Sequence, residues 1–167
     1  RKDSLTMILE LGGKTLSESD FQEFMDRKNT WYLEFIDAMP SDEILPGISS
    51  FIEELKAHDI KIALGSASKN ARRILDRLDL TRWFDAIVDG NDVTHSKPDP
   101  EVFQKGAELL NLAPAVCAVI EDSNAGIEAA IRGGFHPVGV NLNENIHGVA
   151  VTLPDTSYLK VELLKQF

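Results

Sequence analysis

Up to about Asp42 the apolar positions repeat at helical spacing. Leu5, Ile8 and Leu9 share one face of a first helix. Ser17 with Asp20 three residues on is a capping arrangement that opens a second helix. Its apolar positions are Phe21, Phe24, Met25, Tyr32, Phe35 and Ile36. MPSDEILPG then reads as a linker, because Pro40, Pro46 and Gly47 break regular structure. From Pro46 onward helix and strand signals alternate. Ile48, Phe51, Ile52 and Leu55 make one helix face, IKIALG (Ile60–Gly65) a strand, and Ala71, Ile74, Leu75 and Leu78 the next helix. AIVDG is a strand, Pro100 to Leu110 a helix and AVCAVIE a strand. The helix from Ser123 to Arg132 ends at Gly133-Gly134, a stop signal. PVGVN and VAVTL are short strands, and Tyr158, Leu159, Leu163 and Leu164 predict a last helix. This alternation predicts an α/β fold, a doubly wound and mainly parallel sheet. Residues 1–42 form a small helical part and residues 43–167 the α/β part.

Composition narrows the function classes. A chain of 167 residues, 43% hydrophobic and 26% charged, can bury a real core. It holds no apolar run long enough for a membrane span and no signal-peptide pattern at its start. Cys117 is the single cysteine, so an internal disulfide is excluded and no Cys/His cluster suggests zinc. The expectation is a cytoplasmic monomer with no membrane partner. The net charge of -10 argues against nucleic acid. A small phosphorylated ligand is compatible with that charge. Screening acts over about 10 Å, so a few local cations decide what a cleft attracts.

Polar groups stand where the apolar runs end, and strand ends in such a fold share one rim. Ser66 follows the strand Ile60–Gly65; it is either a turn residue or a hydroxyl that donates to a phosphate oxygen. Ser68, Lys69 and Asn70 open the next helix, where Ser68 is either a cap or part of an anion grip. Lys97, between Ser96 and Pro98, is either solvated surface or a charge that neutralises a transferring phosphoryl group. Glu121 and Asp122 end the strand AVCAVIE. Asp122 is either a helix cap or a ligand of Mg²⁺, and Glu121 could ligate directly or through water. Arg1, Lys28 and Asn29 read as helix-surface groups unless the helical part folds over the rim. His58, His95, His136 and His147 have no metal-like spacing.

LGSASKN, SKPDPEVF and VIEDSNAGIEAA carry a resemblance, supported by RKDSL, RKNTWY and PDTS. On these motifs the chain resembles, over essentially its whole length, the haloacid dehalogenase-like phosphotransferases. The resemblance implies a HAD-like doubly wound core, residues 43–167, with a partial helical cap, residues 1–42. It implies that Ser66 and Lys97 hold the phosphoryl group being transferred, and that Asp122 with Glu121 holds Mg²⁺. Ser68, Lys69 and Asn70, with Ala67 among them, would grip a sugar phosphate's other phosphate. Arg1 and Lys28 would reach the ligand from the cap, with Asn29 beside them. The family's first motif, a strand ending in two aspartates that act as nucleophile and general acid–base, is not in this sequence. Asp20, Asp26, Asp37 and Asp42 lie in helical or linker sequence. The expectation is a partial chain whose core lacks its first strand, with the flanking strands exposed. For the complete protein the resemblance implies an intramolecular phosphotransferase. It would interconvert β-glucose 1-phosphate and glucose 6-phosphate through an aspartyl-phosphate and a bisphosphate intermediate. Two alternatives stay open: a sugar-phosphate phosphatase of the same family, and a catalytically incomplete binding module.

Overall fold

The computed structural model describes residues 2–141 and 145–167. The chain divides into two compact units, Arg1–Pro40 and Ser41–Phe167. The first holds α1 (Lys2–Leu11) and α2 (Glu18–Ala38). Ser17 caps α2 as its spacing predicts: its Oγ accepts the Asp20 N–H at 3.1 Å and donates to the Asp20 carboxylate at 2.7 Å. Ile36 is buried, but Phe35 on the same expected face is 74% exposed and Phe24 is exposed too. Helical spacing says which residues share a side, not whether anything covers it. The Arg27 guanidinium lies over the rings of Phe24 and Trp31, at 4.5 and 5.5 Å, and shields them in part. Among the described residues no helix is long and apolar enough to cross a membrane.

The second unit runs α3 (Ile48–Ala57), β1 (Ala63–Gly65), α4 (Ala71–Arg77), β2 (Ala86–Val88), α5 (Glu101–Leu110), β3 (Ala118–Glu121), α6 (Asn124–Arg132), β4 (His136–Val140) and β5 (Val151–Leu153). All strand pairs are parallel: Leu64 faces Ile87, Ile120 faces Val138, and Gly139 faces Thr152. The core has two sides. Phe51 and Leu55 of α3 pack with Val138, Leu153, Leu159 and Val161. Ala107 of α5 and Ala130 of α6 pack with Val119 and Phe135. This is the doubly wound arrangement that the alternation predicts.

Several elements are shorter than their apolar runs. Ile62 gives its N–H to the Asp85 carboxylate at 2.8 Å, so β1 begins only at Ala63. Pro114–Val116 is a 3-10 turn, which leaves Ala118–Glu121 as the strand. No last α-helix forms. Thr156–Tyr158 and Val161–Gln166 are 3-10 turns, the first held by Asp155 accepting the Ser157 N–H at 2.8 Å.

The strands form two separate sheets, β1–β2 and β3–β4–β5. Between β1 and β3 lies a cavity of about 650 Å³, walled by Ala63–Gly65, Ala118–Glu121 and the side chains of Phe103, Leu110 and Leu164. Ile120, within a strand, is 37% exposed.

Candidate active site

Strand β1 hands over to a tight loop. Ser66 N–H donates to the Val88 carbonyl at 2.9 Å, carrying the pairing one residue past the strand. Ser66 Oγ then accepts the Ser68 N–H at 3.1 Å, and Ser68 Oγ accepts the Asn70 N–H at 3.2 Å. Two successive hydroxyl-backbone turns therefore fold Ser66–Asn70. Helix α4 starts only at Ala71, behind Asn70, so Ser68 is not its cap.

Lys97, half-buried and followed by a cis bond to Pro98, reaches the same rim. Its amine donates to the Gly65 carbonyl at 3.4 Å, pairs with Glu121 Oε1 and lies 4.7 Å from the Phe103 ring centre. Phe103 stands edge-on against Phe135, with centroids 6.0 Å apart. One ammonium is thus fixed by a carbonyl at the end of β1, a carboxylate at the end of β3 and an aromatic face on α5.

Glu121 is buried. Its Oε2 accepts the Asp122 N–H at 2.9 Å, the Ser123 N–H at 3.0 Å and the Ser123 hydroxyl at 3.0 Å. Burial works against its charge, but the hydrogen bond and charge of Lys97, with Ser123, outweigh it and hold the carboxyl below its usual range. The carboxylate rests on the first turn of α6, where a β-carbon on Gly126 would collide with it. Ser123 caps α6, its Oγ accepting the Gly126 N–H at 3.1 Å, so the cap considered for Asp122 belongs to its neighbour.

Asp122 is half-buried, one residue beyond Glu121. Two adjacent carboxylates and a hydroxyl at a strand end suit a hard cation such as Mg²⁺. Glu121 could reach a cation through Oε1 only in competition with the Lys97 amine.

A second cavity, about 270 Å³, is lined by Ala67, Lys69, Gly90, Val93, Thr94, His95, Ser96, Lys97 and Val102. Ala67, Lys69 and Lys97 therefore line one cavity and Glu121 pairs with Lys97, with Ser66, Ser68, Asn70 and Asp122 adjoining them in the chain. Lys28 is exposed on α2 in the first unit, its amine 5.1 Å from the Tyr32 ring centre. Arg1 lies outside the described residues.

Phe103, Gly126 and Asp89 also shape this region, although the motifs that contain them assign them no role. Asp89 had a readable signal: like Glu121, it is a carboxylate at the end of an apolar run, and it is 2% exposed. His95 lines the cavity and lies near Asp99 and Glu101. Glu101 is already taken up by the N–H groups of Thr94 and His95 and by Lys105, so this cluster ties a loop to α5.

The model of the haloacid dehalogenase-like hydrolase family matches residues 6–134. Beta-phosphoglucomutase of Bacillus subtilis (strain 168) is 40% identical over 168 residues, taking in 99% of this chain and 74% of that protein. The phosphorylated carbohydrates phosphatase of Thermotoga maritima is 38% identical over 112 residues, taking in 66% of this chain and 48% of that one. The crystal structure of beta-phosphoglucomutase from Clostridium difficile superposes with a TM-score of 0.89 at 39% identity, covering 99% of this chain and 75% of its own. The chain spans about three quarters of these mutases and about half of the phosphatase. By sequence and by fold, it belongs to the haloacid dehalogenase-like hydrolases, a family of enzymes.

Proposed function

We propose that the complete protein is a magnesium-dependent phosphomutase, a cytoplasmic monomer that interconverts β-glucose 1-phosphate and glucose 6-phosphate. The observation that carries this reading is the Lys97 ammonium, fixed from three directions beside the Ser66–Asn70 loop. The likeness to beta-phosphoglucomutase over nearly the whole chain supports the choice of substrate.

Phosphoryl transfer is mainly positioning and charge neutralisation. Lys97 and the Ser66 hydroxyl would hold the phosphoryl group that moves. Lys69, Ser68 and Asn70, with the Ala67 backbone, would hold the phosphate that does not. Lys28 and Arg1 would reach the sugar phosphate from the first unit. Asp122 and Glu121 would hold Mg²⁺, which when bound neutralises charge on phosphate oxygens. The nucleophilic aspartate would arrive on a further strand seated between β1 and β3. The apolar cavity there supports this, because a parallel strand in it would bring its carboxyl end to Lys97. That aspartate would pass its phosphoryl group to a sugar hydroxyl, and the resulting bisphosphate would return its other phosphoryl group.

The test uses the full-length protein with Mg²⁺, β-glucose 1-phosphate and a trace of glucose 1,6-bisphosphate. Glucose 6-phosphate formation without matching phosphate release is the expected result. Rapid phosphate release with no glucose 6-phosphate would favour a phosphatase, the second reading, which the Thermotoga maritima relative supports. Binding of glucose 6-phosphate without any turnover would leave a binding module.

A further inference from the structure

We infer that Asn91 is a positioning residue: it sets the width of the 270 Å³ cavity by holding the Lys69 peptide against the turn that follows β2. The inference rests on the phosphate-gripping role proposed for the Ser66–Asn70 loop, and it adds a residue that touches no ligand itself.

The turn after β2 is locked from within. Asp89 is buried, and its Oδ1 accepts both the Asn91 backbone N–H at 2.8 Å and the Asn91 side-chain amide at 3.0 Å. Its Oδ2 lies 3.2 Å from Arg72 Nε. Arg72 Nη2 also donates to the Ile87 carbonyl at 2.7 Å and to Asp92 Oδ2 at 3.2 Å. Asp92 Oδ2 in turn accepts the Asp89 N–H at 2.8 Å. Arg72 sits in the first turn of α4, the helix that grows out of the Ser66–Asn70 loop. Loop, helix and turn thus close a ring of hydrogen bonds.

Asn91 carries that ring across to the loop. Its side-chain nitrogen donates to the Lys69 carbonyl at 3.1 Å as well as to Asp89. Both partners are pure acceptors, so only the NH₂ of the amide can face them. A second clamp runs beside it. Gly90 N–H donates to the Ser68 carbonyl at 3.2 Å, and a β-carbon on Gly90 would collide with the Ala67 carbonyl oxygen. The loop and the turn are therefore pressed together along Ala67–Lys69.

The consequence follows from where Lys69 stands. Lys69 and Gly90 line the same cavity as Thr94 and Lys97. Fixing the Lys69 carbonyl fixes the peptide plane between Lys69 and Asn70, and with it the backbone from which the Lys69 side chain starts. Ligand grip depends on placing such groups to within about 0.5 Å. A solvated turn residue would need no bond to the Lys69 carbonyl.

The test measures glucose 6-phosphate affinity by calorimetry in the full-length protein, with Tm recorded for each variant. Lys69→Ala is expected to weaken binding at least tenfold. Asn91→Ala is expected to weaken it about fivefold, the worth of one hydrogen bond. KM should rise with kcat nearly unchanged. Asn91→Asp should be worse than Asn91→Ala, since a carboxylate would face the Asp89 carboxylate and the Lys69 carbonyl. Unchanged affinity in Lys69→Ala overturns the phosphate reading of the loop and this inference with it. Weakened binding in Lys69→Ala beside wild-type affinity in Asn91→Ala or Asn91→Asp overturns the inference alone.

Discussion

An ammonium that leaves water needs acceptors in return, and Lys97 finds a carbonyl, a carboxylate and an aromatic face. In the proposed function that fixity has a use: a preorganised charge stabilises developing negative charge without rearranging in the transition state. In the full-length enzyme Lys97→Ala is expected to lower kcat by about 100- to 1000-fold. Steady-state kinetics on β-glucose 1-phosphate measures this, and a near-normal kcat would refute the role. The substitution also strands Glu121, at a cost of ~3 kcal/mol, so Tm must accompany the kinetics. Glu121 itself makes a pH prediction. Its carboxyl is held below the usual range in the folded protein, because Lys97 and Ser123 outweigh the penalty of burial. The stabilisation is therefore complete above the ordinary glutamate range. It is lost as pH falls through the depressed folded value. Asp85, lowered by Lys56 and the Ile62 N–H, acts with the same sign, so one variant is needed to isolate Glu121. Glu121→Gln should lower Tm at neutral pH and flatten its decline in acid. Parallel Tm–pH curves for variant and wild type would rule this out.

Helix α6 is shaped around the Glu121 carboxylate. Ser123 caps the helix and also donates to Glu121, and Gly126 leaves the space that the carboxylate fills. Alanine is the better helix former by ~1 kcal/mol, so an open site would gain from Gly126→Ala. Here the added methyl must displace the carboxylate, and the expected outcome is a loss of ~1–3 kcal/mol in urea unfolding. A more stable variant would mean that the helix does not cradle Glu121. The rim is legible where a polar group ends an apolar run: Ser66 and Glu121 announce themselves that way, whereas Lys97 stands in a polar stretch and is picked out by the SKPDP motif. Asn91 and Arg72 announce themselves in neither way, since their partners lie 22 and 15 residues away in the chain. Apolar runs exceed the strands for a related reason. Hydrophobic pattern marks Ile60–Gly65 as buried, but the Ile62 N–H goes to Asp85 rather than to a neighbouring strand. The expected last helix does not form: Tyr158 is 56% exposed, while Leu159, between the two 3-10 turns, and Val161, at the start of the second, are buried.

At the scale of the whole α/β unit, one feature departs from an ordinary parallel sheet. Such sheets are normally covered on both faces, and their inner strands read as continuous apolar runs because every residue is buried. Strand β3 has that sequence, yet Ile120 is 37% exposed beside the cavity that separates it from β1. Strands β1 and β3 each pair on one side only, with β2 and β4. Exposed strand edges of this kind invite another strand. If a further strand fills the gap in the full-length protein, Ile120 becomes part of its packed interior. Ile120→Asp should then cost more than ~2 kcal/mol, because an unpaired carboxylate is buried. If the gap is open to water in that protein, the same change falls among surface substitutions, within about 0.5 kcal/mol of neutral. Urea unfolding of the full-length variant separates the two outcomes, with Val138→Ala, at a position 0% exposed, as the reference for a core loss of ~1–3 kcal/mol. A neutral Ile120→Asp would leave Lys97 at the mouth of a solvent-filled cleft. Its charge would then be screened by water rather than focused on a phosphate, and the proposed chemistry would lose its physical basis.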